Sequence, residues 1–171
     1  AAGILTRIVN SFDPNDIIGP AGFGAERWLV PNQTLPYTIR FENLPTATAP
    51  AVFVTITQQL DADVDFSTFE LGDLGFGNIT VKVPSGRKFH VERLDLRDKI
   101  GYFVDVEGGI NPSTGELKWT LKTIDPSTGE FPADVNAGFL PPNNANRDGE
   151  GYVSYRIKPK TTVTSGASLD A

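Results

Sequence analysis

The chain has 171 residues, enough to bury one sizeable core. Its net charge of −6, from 15 Lys and Arg against 21 Asp and Glu, argues against a nucleic-acid partner. It has no cysteine, which excludes disulfides and thiolate metal sites, and no apolar run long enough to span a bilayer.

The opening "AAGILTRIVN" alternates, with Ile4, Thr6 and Ile8 opposite Leu5, Arg7 and Val9, and reads as a strand. The sequence contains no Met; it starts as a chain does after a leader is removed, or as a piece of something longer. In "SFDPND", Asp13-Pro14 is expected to end that strand and stiffen the joint, because proline fixes φ and restricts the residue before it. Asp13, Asn15 and Asp16 also supply oxygens of the kind that Ca²⁺ takes. "GPAGFGAE" has phosphate-loop glycines, but proline interrupts it and no helix follows, so it reads as a loop. Trp28 precedes a turn and is the candidate for stacking on a sugar ring.

"TLPYTIRFEN" puts Leu35, Tyr37, Ile39 and Phe41 on one face, the pattern of a half-buried strand. The proline-rich "LPTATAPA" links it to "AVFVTITQQL", which reads as a strand buried on both faces in its first half. In "LDADVDF" an extended backbone would place Asp61, Asp63 and Asp65 on one face, a stripe too repulsive to stand unpaired in a buried place and suited to a hard cation. "NITVKV", "KFHVERLDL" and "IGYFVDVEG" read as three more strands. His90, the single histidine, is expected to face solvent, and no GxSxG elbow accompanies it, so nucleophilic catalysis finds little support. "NPSTGELKWTLKTIDPSTGE" holds one turn twice, Asn111–Glu116 and Asp125–Glu130, around a strand that turns Leu117, Trp119 and Leu121 inward. Phe131–Gly151 is a long aperiodic loop in which Asn146, Asp148 and Glu150 are further calcium candidates. "GYVSYRIKPK" closes the series with Val153, Tyr155 and Ile157 inward. Many short strands separated by turn signals predict an all-β sandwich with Greek-key connections.

Taken together, "SFDPND", "YTIRFEN", "LDADVDF", "GFLPPNN" and "GEGYVSYRIKPK" resemble an immunoglobulin-like β-sandwich repeat domain of very large secreted or surface proteins of bacteria. The resemblance spans about residues 11 to 165. It implies a non-catalytic structural or adhesive role at the cell surface or outside the cell, and no defined ligand. Members of that family continue with a further apolar strand, whereas this sequence ends "TTVTSGASLDA", so the sandwich is expected to lack its last strand.

The expectation that follows is a β-sandwich at 11–171 with an N-terminal extension at 1–10. Ile4, Leu5, Ile8 and Val9 would form a donor strand that completes the open sheet of the next copy, head to tail, giving a filament. The competing readings are a trimmed last strand, or residues 1–10 folding into their own sheet. The alternative function is a calcium-stabilised carbohydrate-binding or adhesion module, with Trp28 on the sugar.

Overall fold

The computed structural model describes residues 16–19 and 33–160. Nine strands run in chain order: β1 Asp16–Ile18, β2 Leu35–Glu42, β3 Phe53–Gln59, β4 Val64–Phe76, β5 Ile79–Val81, β6 Phe89–Leu96, β7 Tyr102–Asn111, β8 Glu116–Ile124 and β9 Glu150–Pro159. There is no helix among the described residues. The fold is an all-β, immunoglobulin-like sandwich of two antiparallel sheets, ordered β1-β2-β9-β4-β5 and β3-β8-β7-β6. The chain crosses between the sheets after β2, β3, β5 and β8, so β9 enters the first sheet between β2 and β4.

The alternation read from the sequence sets the core. Leu35, Tyr37, Ile39 and Phe41 of β2 and Val153, Tyr155 and Ile157 of β9 are all buried, and they pair across the β2–β9 ladder. From the other sheet come Val54, Ile56, Val104, Val106, Leu117, Trp119 and Leu121. Tyr155 lies at the centre: its ring stacks on Tyr37 at 5.2 Å and meets Phe69 at 5.7 Å and Trp119 at 6.0 Å. Burial raises the Tyr155 hydroxyl well above the ordinary tyrosine range. Offset and tilted aromatic pairs of this kind contribute beyond their buried area.

Two expectations are corrected. β3 alternates instead of being buried on both faces: Val54 and Ile56 are fully buried, while Phe53, Thr55 and Thr57 are not. The reason is that its sheet covers the core on one face only. "LDADVDF" is not one extended strand. The chain turns at Ala62 and Asp63, where the Val64 amide donates to the Asp61 carbonyl at 3.3 Å, so the three carboxylates form no stripe. β4, which the sequence pattern did not mark out, runs thirteen residues, with register shifts against β9 between Asp65 and Glu70 and between Leu71 and Leu74. Such bulges break the period of two.

Candidate functional site

The site with the most exposed chemistry is the outer face of the four-stranded sheet. Register places its side chains in rows from β3 to β6: Thr57, Lys118, Gly109 and Phe89; then Thr55, Thr120, Glu107 and Val91; then Phe53, Lys122, Asp105 and Arg93. Charges alternate in sign along the last row. Arg93 grips Asp105 with two hydrogen bonds of 2.7 and 2.8 Å and lies 4.9 Å over the Phe103 ring. That guanidinium holds the Asp105 carboxyl below its usual range. Lys122 sits 5.5 Å over Phe53, its cross-strand partner.

A shallow hollow of about 540 Å³ opens on this face beside Phe89, Glu107, Gly109, Lys118 and Thr120. Two adjacent glycines lie beneath it with different roles, because successive strand residues point to opposite faces. Gly108 points inward, where a Cβ would come within 2.5 Å of the Trp119 ring. Gly109 points outward, where a Cβ would come within 2.6 Å of the Phe89 ring. One glycine thus admits the core tryptophan and its neighbour lowers the surface under an exposed phenylalanine.

β6 is the edge of that sheet and inverts the usual polarity. Phe89 and Val91 face outward, 56% and 60% exposed, while His90, Glu92 and Leu94 face the sheet's inner side. The expectation of a solvent-facing His90 is therefore corrected. Its side chain is only 16% exposed, and Nε2 lies 3.1 Å from Glu92 Oε1. Alternation was legible in "KFHVERLDL"; its phase was set by pairing with β7, where His90 lies opposite the inward Gly108.

The candidate calcium ligands fall in separate places. Asp16, on β1, is paired with Arg40, whose Nε donates to it at 2.9 Å. Asp61 accepts the amide of Asp63 at 2.8 Å, and Asp65 accepts the amide and hydroxyl of Ser67 at 3.0 and 2.6 Å. These are Asx turns, in which a side chain satisfies backbone near its own position. In the third cluster Asn144 accepts the Asn146 amide at 2.9 Å and donates to Asp148 at 2.8 Å, while Arg147 takes both oxygens of Glu150 at 2.8 and 3.0 Å. Among the described residues no three acidic or histidine side chains converge as a metal site would require. Ile4, Leu5, Ile8, Val9, Asp13, Asn15 and Trp28 lie outside the described residues.

Sequence reasoning missed Asn43, 3% exposed at the end of β2. Its Nδ2 donates to the Ala49 and Leu140 carbonyls at 3.1 and 3.0 Å. Its own amide donates to Gly149 and its carbonyl accepts from Asn143. One side chain thereby ties the Leu44–Ala51 link to the long loop. A polar residue that ends an alternating strand before a proline-rich link was the available signal.

Residues 13–101 match the family model described as a domain of unknown function, DUF7619. The chain belongs to this family. The DUF7619 match covers β1 to β6 but stops short of β7, β8 and β9, without which neither sheet is complete. Searches of curated proteins and of solved structures found no significant match. No helix of the described residues is long and apolar enough to cross a membrane.

Proposed function

We propose that this chain is a non-catalytic structural or adhesive β-sandwich subunit, acting outside the cell or at its surface, that joins copies of itself head to tail by strand donation. The observation that carries the reading is the edge strand β3. Among the described residues it is paired on one side only, to β8. It is seven residues long, regular in register, and its sequence "FVTITQQ" contains no charge and no proline. Sheet edges are ordinarily blunted by charge, proline, bulges or short length, and β3 has none of these. It offers a row of main-chain donors and acceptors to an added strand. The alternating segment Ile4 to Val9 has the length and pattern to supply one. Because donor and acceptor differ, the contact is heterologous and passes from each copy to the next, giving a filament where its rotation does not close.

The test compares the full chain with its Ile8→Asp variant by size-exclusion chromatography and electron microscopy at high concentration. Concentration-dependent oligomers or filaments that Ile8→Asp abolishes support strand donation; monomers in both overturn it.

A second reading, a carbohydrate-binding module, is favoured by the hollow beside Phe89. An exposed aromatic next to hydroxyl, ammonium and carboxylate groups is the composition of a sugar platform. Retention on an insoluble polysaccharide, lost in Phe89→Ala or Trp28→Ala, would decide for it.

A further inference from the structure

We propose that β6 is a self-complementary edge, through which two copies pair antiparallel about a two-fold axis at Val91 and join their four-stranded sheets into one. Among the described residues β6 is paired only to β7, so every second residue turns its amide and carbonyl toward the open side. The outward Phe89 and Val91 are among the most exposed large apolar side chains described. Singly exposed apolar residues are common, but two in succession on an open edge mark a contact surface.

The occupant follows from the charges on the strand itself. In any symmetric antiparallel register one residue lies opposite its own copy. Centring on Glu92 or Arg93 sets like charges face to face, which is destabilising. Centring on Leu94 leaves Phe89 beyond the paired stretch. Centring on Val91 sets Val91 against Val91, Phe89 against Arg93 of the second copy, and His90 against Glu92 of the second copy. Every pair is then apolar, cation–π or of compatible sign. Arg93 is already held in place by Asp105 and Phe103, so it meets the Phe89 ring with little further ordering. The same strand that sets like charges face to face when centred on Glu92 or Arg93 is attractive when centred on Val91, and that selects a second copy as the partner. The contact is isologous and closes on two chains, unlike strand donation. Its paired stretch is short, so the dimer is weak and forms at high concentration.

The absence of cysteine supplies a clean reporter. In the full-length Val91→Cys variant the two introduced residues face each other across the axis. Their Cα atoms would lie about 4.5–5.5 Å apart, within disulfide reach. The expected result is a disulfide-linked dimer that forms at least about tenfold faster than one from Thr57→Cys on β3, because pairing raises the local thiol concentration. Sedimentation of the cysteine-free chain should show a dimer at high concentration that Val91→Lys removes. Equal cross-linking rates at the two positions, or a parent chain that sediments as a monomer throughout, would overturn the proposal. So would loss of the Val91→Cys cross-link on adding Ile8→Asp, which would assign the β6 edge to a donated strand instead. Retention of the cross-link in that double variant supports β6 pairing whether or not strand donation survives its own test.

Discussion

Asn43 shows how much a single polar side chain can hold. Both hydrogens of its Nδ2 are used on carbonyls, one of them Leu140, 97 residues away, and its backbone joins two further loop residues. Asn43→Ala takes this donor from both carbonyls, leaving that of Leu140 with only the Ala51 amide. The expected cost is about 2–3 kcal/mol, seen as a lower urea midpoint with unchanged slope. Asn43→Asp should do no better, since a carboxylate cannot donate; recovery by Asp would mean that size rather than hydrogen bonding matters there. Thr123 is the converse case. It is fully buried, and its hydroxyl meets no protein partner. Thr123→Val keeps the shape and removes that group, so stability should rise by about 1 kcal/mol. Thr123 did not announce itself in the sequence, and Asn43 did so only as a polar residue ending an alternating strand, because what decides both is the company brought by distant segments.

Turns, in contrast, were legible because their chemistry is local. Asn111–Glu116 and Asp125–Glu130 fold alike. In each, the first side chain accepts the amide two residues on, at 3.0 and 2.8 Å, and the glycine amide returns to the first carbonyl at 2.8 Å. Gly115 and Gly129 take φ of 75° and 74°, the left-handed region that disfavours a Cβ. Their surroundings differ. A Cβ on Gly115 would come within 2.3 Å of the Phe66 ring, whereas one on Gly129 meets nothing within 4 Å. Gly129→Ala should therefore cost only the backbone penalty, about 1 kcal/mol, and Gly115→Ala measurably more. Equal losses in thermal unfolding would show that Phe66 swings aside without penalty. Strand identity was similarly legible for β2, β8 and β9, whose period of two survives intact. It was legible in β6 as well, although alternation alone could not say which face pointed in, and it was not in β4, where bulges shift the phase.

At the scale of the molecule, β9 makes the sandwich a single cooperative unit. It is hydrogen-bonded to β2 along eight residue pairs and to β4 on its other side, and it contributes Val153, Tyr155 and Ile157 to the core. A fragment ending at residue 101 keeps the whole DUF7619 match but loses β7, β8 and β9, so it should show no dispersed amide spectrum; a folded fragment would refute this account of the core. Acid tests the surface of the same unit. Asp16, Asp65, Asp73, Asp95, Asp105, Asp125 and Glu150 are all held below their ordinary values, each chiefly by a hydrogen bond from a neighbouring side chain or amide. Arg97 takes Asp95 lowest, to about 2. A carboxyl depressed in the fold stabilises it above the unfolded value, and that contribution disappears as pH falls through the folded value. The melting temperature should therefore be insensitive to these groups from neutrality down to about pH 5, and decline between the ordinary carboxyl values of 3.8 and 4.5 and about 2. These pairs are largely exposed, so salt should flatten the decline. A melting temperature already falling between pH 7 and 5 would overturn this assignment of the acid response to these carboxyls.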